Sequence, residues 1–335
     1  MSVNGVYRYD FEKPIAELAH RLQDLHKAEE RKLDPAAIQA MEAELDRLKQ
    51  EVYRNLTPWQ RVQLARHPLR PYTLDYIQAL MTDFIELHGD RLYGDDKAMI
   101  SGLAQLEGQR LVVIGHQKGR DTKENLMRNF GSAHPEGYRK AIRLMQLAEK
   151  CRLPIVVFID TPGAYPGIGA EERGQAYSIA YNMREMARIR TSIFVCVIGE
   201  GGSGGALGVG VGDYVAMLEN AYYSVISPEG CAAILWRDRA KAPDAAAALK
   251  LTAEDLLRLG LIDHVVAEPP GGAHHDPAMV ASGIKQAIRG FWRSVESLSL
   301  DELLRRRYER FRKVGVFTTL APPAPSDVPV SQPHS

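Results

Sequence analysis

The sequence has few cysteines and no excess of charge of either sign. Its 335 residues include 3 cysteines, and Lys plus Arg and Asp plus Glu both number 42. Cys151, Cys196 and Cys231 lie far apart, and two of them lie within apolar runs. This spacing argues against disulfides and against a zinc site, and it is typical of a reducing compartment. Because the charges balance, no overall field draws nucleic acid or a membrane surface towards the protein.

Long apolar runs are missing as well. No run approaches the ~20 residues of a membrane-spanning helix, and residues 1–10 contain no apolar core of a secretory signal. We therefore predict a cytoplasmic protein that has no membrane partner. Hydrophobic residues make up 45% of the chain and charged residues 25%, which is ordinary for one or two globular domains.

Two series of apolar residues, spaced by three and four positions, open the chain. One series covers residues 11–25 and the other covers residues 38–52. Their spacing predicts two helices with apolar seams, which form a hairpin over residues 11–56. Asp34 and Pro35 fit the N-cap and the first turn of the second helix.

The pattern changes to that of an α/β fold from about residue 98. Four runs have the continuous Val and Ile content of strands buried on both faces: residues 111–115, 155–159, 193–198 and 262–266. Helical patterns lie between them, so we predict a parallel sheet with right-handed crossovers. Two later helices are predicted over residues 277–297 and 299–314. An earlier helix is predicted with Thr73 as its N-cap and an apolar face that reaches Leu87.

These patterns divide the chain into three predicted parts. The parts are a helical hairpin (residues 1–60), a main domain with C-terminal helices (61–316) and a proline-rich disordered tail (317–335). Within the main domain, Thr252 and Asp255 fit the ends of a capping box. The helix that they start is predicted to end at Gly260, just before the last strand.

The stretch GGSGGA at residues 201–206 is the most informative part of the sequence. It follows an apolar run, so a buried strand is expected to end at a glycine turn and to continue as a helix. Backbone N–H groups at such a turn are free to bind a phosphate, or an oxygen that becomes negative during a reaction. Three interpretations of this turn imply different chemistry.

The first interpretation is dinucleotide binding. Gly199, Gly201 and Gly204 match the G-x-G-x-x-G fingerprint, and Glu219 lies where a ribose-binding acid would be. That fold, however, needs a full crossover helix after the glycines. Only residues 206–212 are available, and 3 of them are glycines. Each glycine in a helix interior costs about 1 kcal/mol relative to alanine, which weighs against this interpretation.

The second interpretation is a serine hydrolase. Gly201, Ser203 and Gly205 match the G-x-S-x-G pattern of a nucleophile elbow. A later histidine is then needed as the base, and His264 is the only one near a predicted strand. No acidic residue stands out as the partner of that histidine.

The third interpretation is an oxyanion hole. The N–H groups of Gly204 and Gly205 then carry the function, and Ser203 is only a small turn residue. Glycine suits these positions because a Cβ atom would block close approach and because the turn can require a positive φ. One such donor contributes roughly 10²–10³ in rate, and the chemistry needs no catalytic side chain nearby.

Two other loops follow predicted strands and should meet the glycine turn at the same sheet edge. Residues 160–169 (DTPGAYPGIG) include 2 prolines and 4 glycines or alanines, which gives a rigid loop shaped for close approach, or an ordered structural turn. Residues 114–120 (IGHQKGR) carry Lys118 and Arg120. These side chains could hold the phosphates of a large anionic substrate, or they could form a solvated charged loop.

Two clusters elsewhere have simpler interpretations. Residues 274–276 (HHD) resemble a metal-binding tract, but they lie between two glycines and a proline in a predicted surface loop. We therefore predict no metal there. Residues 305–307 (RRR) and Arg310 lie on a helix that also carries acidic residues, which indicates a solvated or partner-facing helix rather than a nucleic-acid site.

Five motifs occur in the order and spacing of a known family. They are PYTLDY (residues 71–76), HQKGR (116–120), DTPGAYPG (160–167), GEGGSGGA (199–206) and SPEGC (227–231). Together they resemble the α-subunit family of the bacterial acetyl-CoA carboxylase carboxyltransferase, over about residues 8–316. The linked set is far more specific than any single motif, and the proline-rich tail lies outside it.

The resemblance implies a crotonase-like α/β fold, a ββα superhelix extended by an N-terminal helical hairpin. It also implies the transfer of CO2 from carboxybiotin, on a biotin carboxyl carrier protein, to acetyl-CoA, which gives malonyl-CoA for fatty acid synthesis. The implied partners are a β subunit that bears a zinc ribbon, in an α2β2 assembly, together with the carrier protein and a biotin carboxylase that consumes ATP. No metal is expected in this chain.

For the site, the resemblance implies that Gly204 and Gly205 polarise the ureido carbonyl of carboxybiotin, while the β chain supplies the hole for the acetyl-CoA enolate. Substrate binding is predicted for residues of the two other loops: Gly163, Ala164, Tyr165, Pro166, Lys118 and Arg120. Three alternatives remain open at this point. They are a non-catalytic assembly subunit, a self-sufficient crotonase-type hydratase or isomerase, and a serine hydrolase.

Overall fold

The computed structural model describes residues 3–27 and 35–315. Its first helices are α1 (Val3–Val6), α2 (Lys13–Lys27) and α3 (Pro35–Arg54). Helices α2 and α3 pack against each other, so both helices of the predicted hairpin are present. The predicted N-cap, Asp34, and the predicted tail at residues 317–335 lie outside the described residues. The division between hairpin and main domain stays a prediction.

A small apolar cluster joins this hairpin to the rest of the chain. Ile15, Tyr53 and Leu64 are buried together in it. The Glu12 carboxylate is fully buried beside them, where it accepts a hydrogen bond of 2.7 Å from the Tyr53 hydroxyl. The hairpin therefore has a core of its own that extends into the first helix after it.

One sheet forms the centre of the described chain. Its strands are β1 (Thr82–Glu86), β2 (Met99–Leu106), β3 (Gln109–His116), β4 (Ile155–Thr161), β5 (Ile193–Gly202), β6 (Tyr214–Leu218), β7 (Tyr222–Ser224) and β8 (His264–Val266). They lie in the order β1-β2-β3-β4-β5-β6-β8, and β7 pairs with the carboxyl end of β5. β1 pairs with β2 and β2 pairs with β3 in antiparallel fashion, whereas β3 pairs parallel with β4 and all the remaining pairings are parallel. All four predicted strands are thus present and lie in the parallel part.

Helices surround the sheet and cover it. They are α4 (Pro58–Ala65), α5 (Thr73–Leu80), α6 (Thr122–Met127), α7 (Pro135–Cys151), α8 (Ile168–Glu172), α9 (Gln175–Met186), α10 (Ser203–Leu207), α11 (Pro228–Leu235), α12 (Ala242–Leu249), α13 (Ala253–Arg258), α14 (Pro277–Val295) and α15 (Leu300–Arg312). Within the described residues, no helix is both long and apolar enough to cross a membrane.

The middle of the sheet is the core of the protein. Every residue of β4 and of β5 is buried, because both strands lie inside the sheet, α5 and α10 pack on β4, and α4, α10 and α14 pack on β5. Each Val, Ile or Phe side chain buried in this way contributes about 1.5–3 kcal/mol. The loops at the carboxyl ends of β4 and β5 therefore start from fixed positions.

The helix predicted from Thr73 is shorter than expected. It ends at Leu80, and Phe84 lies in β1, which pairs with β2. The apolar spacing continues past the end of the helix, but from Thr82 onwards the backbone polar groups are satisfied by a neighbouring strand. Thr73 is also not the cap. Its buried hydroxyl donates to the carbonyl oxygen of His116, and Tyr72 occupies the N-cap position.

Two later helix starts follow the sequence closely. The Thr252 hydroxyl accepts from the N–H group of Asp255 at 3.3 Å, and Gly260 follows α13 with a φ of +70°, as an αL residue after a helix should. The Ser299 hydroxyl likewise accepts from the N–H group of Glu302 at the start of α15, at 3.2 Å.

Candidate active site

Three loops meet at the carboxyl edge of the parallel strands. They follow β3, β4 and β5, which are neighbours in the sheet. At the end of β4, Thr161 lies opposite Gly201 of β5. The loops that the sequence predicts at one edge are therefore brought together, at the place where parallel sheets bind ligands.

The glycine turn is pressed against the loop that follows β4. A Cβ atom on Gly202 would lie 2.2 Å from the carbonyl oxygen of Pro162, and one on Gly205 would lie 2.6 Å from the backbone nitrogen of Ala164. Both distances are far shorter than real contacts, so these two positions require glycine. Gly204 differs, since a Cβ atom there would meet only the end of Ile179, at 3.5 Å.

The turn also begins with an unusual backbone conformation. Ser203 has a φ of +49°, which is uncommon for a residue with a side chain. It is the first residue of α10, and the first turn of a helix leaves its N–H groups without acceptors inside the helix. The N–H groups of Gly204 and Gly205 belong to this turn.

The loop after β4 is held by its own side chains. The Thr161 hydroxyl donates to the carbonyl oxygen of Gly163 at 2.9 Å and accepts from the N–H group of Gly163 at 3.1 Å. Gly163 has a φ of +150°. The Tyr165 ring stacks on His134 with 4.0 Å between the ring centroids, whereas Pro166 is exposed. Gly163 and Ala164 therefore lie against the glycine turn, and Tyr165 turns to the side.

Lys118 lies beneath the two loops and does not extend into solvent. Its Nζ atom donates to Oδ1 of Asp160 at 2.7 Å and to Oε1 of Glu200 at 2.8 Å. Burial alone would lower the pKa of Lys118, but these two carboxylates raise it above its ordinary value. The ammonium group is therefore charged and already paired.

Glu200 is held by donors on both of its oxygens. Besides Lys118 on Oε1, its Oε2 atom accepts from Arg66 Nε and from the Tyr222 hydroxyl, both at 2.7 Å. Burial would raise the pKa of Glu200, but Lys118 and Arg66 lower it to about 2. Glu200 is thus an ionised carboxylate directly before the glycine turn, and sequence reasoning missed it.

Arg120 points away from the loops that carry the glycines. Its guanidinium pairs with Asp75 and lies 4.0 Å from the centre of the Tyr72 ring. It also donates to the carbonyl oxygens of Pro68 and Arg70, at 2.9 Å each. The charges of Arg120 and Lys118 are therefore used within the chain, at two different places.

The structure gives little support to the dinucleotide and hydrolase interpretations. Helix α10 has only 5 residues, and Glu219 accepts from the N–H group of Glu268 at 3.1 Å. His264 is exposed in β8 and lines a different cavity from the one beside Ser203. That second cavity has about 440 Å³ and an apolar wall, and its described lining residues include no His, Asp or Glu.

The remaining clusters differ from their predicted settings. His274 is partly buried rather than on an open surface loop, and its ring stacks on His67 at 3.9 Å. Arg307 is buried rather than solvated, because both oxygens of Asp213 accept from it at 2.7 Å. Among the residues that the structure describes, no group of three His, Cys, Asp or Glu side chains could hold a metal ion.

Known proteins match this chain over nearly its whole length. The model of the family "Acetyl co-enzyme A carboxylase carboxyltransferase-like" matches residues 8–315. The acetyl-coenzyme A carboxylase carboxyl transferase subunit alpha of Thermus thermophilus is 56% identical over 310 residues, which cover 92% of this chain and 98% of that protein. The protein of the same name from Geobacter metallireducens is 53% identical over 312 residues, covering 93% and 98%.

Solved structures show the same fold at much lower identity. A Pseudomonas malonate decarboxylase hetero-tetramer in complex with coenzyme A includes a chain with a TM-score of 0.55 and 16% identity, over 71% of this chain and 93% of that one. Transcarboxylase 12S matches with a TM-score of 0.54 and 19% identity. The match covers 68% of this chain and 44% of the transcarboxylase chain. The predicted crotonase-like fold is confirmed.

Proposed function

This chain belongs to the acetyl-CoA carboxylase carboxyltransferase family, and on that premise we propose that it is the α subunit of a carboxyltransferase. It moves a carboxyl group from carboxybiotin, on a biotin carboxyl carrier protein, to acetyl-CoA, giving malonyl-CoA for fatty acid synthesis. The observation that carries the proposal is the glycine turn, because Gly205 lies flush against Gly163 and Ala164 and leaves no room for a side chain.

The residues of the turn fit a carbonyl oxygen that gains negative charge. Bound carboxybiotin supplies the carboxyl group that is transferred. The N–H groups of Gly204 and Gly205 donate to the ureido oxygen and stabilise the charge that develops there, with roughly 10²–10³ in rate for each donor. Their positions are set before the reaction, since the loop after β4 holds Gly205 in place. The apolar cavity beside Ser203, of about 440 Å³, is within the usual size of small-molecule pockets.

The second half of the site is proposed to lie on another chain. We propose an α2β2 assembly in which a β subunit with a zinc ribbon provides the hole for the acetyl-CoA enolate. A biotin carboxylase that consumes ATP would carboxylate the biotin of the carrier protein again. We propose that the whole assembly is cytoplasmic. The relatives are named as alpha subunits, which supports a partner of this kind.

Substrate binding by the other loop residues stays a prediction. Gly163 and Ala164 lie at the glycine turn and are the best placed for it. Tyr165 and Pro166 follow them in the same loop. The ion pairs of Lys118 and Arg120 favour a role within the chain instead.

The decisive experiment measures carboxyl transfer from carboxybiotin to acetyl-CoA, with this chain alone and with the β subunit added. Transfer that occurs only in the mixture supports the proposal. Transfer by this chain alone would contradict a divided site.

In the mixture, Gly204→Val should abolish transfer while the subunits still assemble. An assembled variant with normal turnover would refute the role of the turn. Ser203→Ala should keep activity, as a serine hydrolase would not.

A further inference from the structure

Each of the two loops at the site begins at a buried carboxylate. Asp160 precedes the loop after β4, and Glu200 precedes the glycine turn. The two residues are in contact, because Oδ1 of Asp160 accepts from the N–H group of Glu200 at 2.9 Å. A Cβ atom on Gly199 would lie 2.5 Å from the same oxygen, so the two strands approach more closely here than side chains would allow.

A single ammonium group joins these two carboxylates. Lys118 comes from the loop after β3, and its Nζ atom lies 2.7 Å from Asp160 and 2.8 Å from Glu200. The three residues thus tie together the ends of three neighbouring strands. The separations along the chain are large, since Lys118 lies 42 residues before Asp160 and 82 before Glu200.

The two carboxylates depend on Lys118 to different extents. Glu200 has a second cation, because Arg66 Nε lies 2.7 Å from its Oε2 atom. Asp160 forms no other ion pair with the described residues. Removal of the ammonium group therefore leaves a buried carboxylate without a cation at the start of the loop that supports Gly205. A buried charge in that state is strongly unfavourable.

From this arrangement we propose that Lys118 is a positioning residue for carboxyl transfer, which holds the start of the loop after β4 against the start of the glycine turn. Lys118 acts through Asp160 and Glu200, and it does not touch the substrate. This role rests on the proposed function. It explains how the N–H groups of Gly204 and Gly205 keep their orientation.

The test compares Lys118→Met with a control at the other end of β5, Arg307→Met. Arg307 is more deeply buried than Lys118 and also pairs with a carboxylate, Asp213, which accepts from the N–H group of Ile193, the first residue of β5. In the assembly with the β subunit, Lys118→Met should lower kcat about 100-fold, as a small misplacement of catalytic groups does. The KM for acetyl-CoA should stay within about twofold. Arg307→Met should leave both constants close to wild type for the folded fraction.

Two further variants separate positioning from general stability. Lys118→Arg keeps the positive charge, so its kcat should be at least about tenfold higher than that of Lys118→Met. The double variant Lys118→Met/Asp160→Asn removes one buried charge of each sign, so its melting temperature should recover while kcat stays low. Recovery of kcat together with stability would overturn the inference, since the ammonium would then only neutralise Asp160. An increase in KM for acetyl-CoA at unchanged kcat would also overturn it, by showing that Lys118 binds the substrate.

A measurement without substrate keeps the two proposals apart. Amide hydrogen exchange in residues 200–207 should be faster in Lys118→Met than in Arg307→Met. If the wild-type assembly transfers no carboxyl group, the proposed function fails, and the exchange data still test the effect of Lys118 on the turn. If the wild type transfers normally but exchange and kcat are unchanged in Lys118→Met, only the positioning role fails.

Discussion

Strand β5 has a buried ion pair at each end, but the backbone beyond the two ends differs. At the amino end, Asp213 accepts from the N–H group of Ile193 at 2.8 Å and pairs with Arg307. At the carboxyl end, Glu200 pairs with Lys118 and Arg66. The ion pairs alone therefore do not mark the site.

The difference lies in what the carboxyl-end pair supports. Directly after Glu200, Gly202 and Gly205 touch the backbone of the neighbouring loop, and Ser203 has a positive φ. Such strained backbone persists only where the surroundings determine it. At the amino end, Arg307 instead donates to the carbonyl oxygen of Met186 at 2.7 Å and so closes the end of a helix. One end is built to hold donors in position and the other to hold the fold together.

The largest expected effect is at the glycine that the neighbouring loop touches. Gly205→Ala places a methyl group 2.6 Å from the backbone of Ala164, so the two loops must separate. We expect carboxyl transfer to fall by about 10²–10³, as measured by kcat of the assembly. The matched control is Gly204→Ala, whose methyl group would meet Ile179 at an ordinary 3.5 Å, and it should lose far less. Equal losses would show that a ligand, rather than the loop, requires glycine at both positions.

The next effect concerns stability at the amino end. Arg307→Met leaves Asp213 buried without its cation, and breaking such a pair costs about 3–5 kcal/mol. Denaturant unfolding monitored by circular dichroism should show this loss. Activity for the folded fraction should stay normal because the glycine turn is at the other end of β5. A large decrease in kcat at full folding would remove the contrast between the two ends.

The sequence predicts the apolar part of this comparison well and the polar part poorly. The runs that form β4 and β5 are recognisable because strands buried on both faces are apolar throughout. Ion pairs between residues 42 or 82 positions apart leave no local pattern. One signal is present, since Asp160 and Glu200 each end an apolar run, where a charged side chain needs a buried partner. Nothing in the sequence identifies that partner as Lys118.

Arg307 and the residues of β1 show two other limits of sequence patterns. Arg307 lies in a run of arginines that indicates a solvated helix, yet it is 1% exposed, because α15 turns one of these side chains towards Asp213. In β1, the apolar residues continue the spacing of α5 by coincidence, and a series of this length does not distinguish helix from strand. In both cases the tertiary partner decides the outcome.

Acid should affect a third region before it affects either end of β5. Burial lowers the pKa of His67 to about 4 and that of His274 to about 2, with Arg8 adding to the effect at His67. Their unfolded pKa is near 6.5, so unfolding takes up protons. Stability from these neutral rings is therefore present above pH 6.5 and is lost as the pH falls from there towards 4.

The measurement for this prediction is the melting temperature between pH 7 and pH 5. It should fall with acid in the wild type and fall less in His67→Phe, whose ring can keep the stack without taking up a proton. His264→Phe is the control, because His264 is exposed in β8. A wild-type melting temperature that does not change over this range would contradict burial of the neutral pair.

The smallest effect is expected at Arg120, which is the counterpart of Lys118 in the same loop. Its side chain is 41% exposed and its carboxylate partner Asp75 is 46% exposed, and exposed pairs contribute about 0–1 kcal/mol. Arg120→Met should therefore lower the unfolding free energy only slightly and should change kcat far less than Lys118→Met. Steady-state kinetics of the assembly with varied acetyl-CoA checks this. A rise of about tenfold in KM, or 1.4 kcal/mol of binding, would instead show that Arg120 leaves Asp75 to contact the phosphates of the substrate. The informative contrast would then be between Lys118, which positions the loops, and Arg120, which binds the substrate. It would no longer be between the two ends of β5.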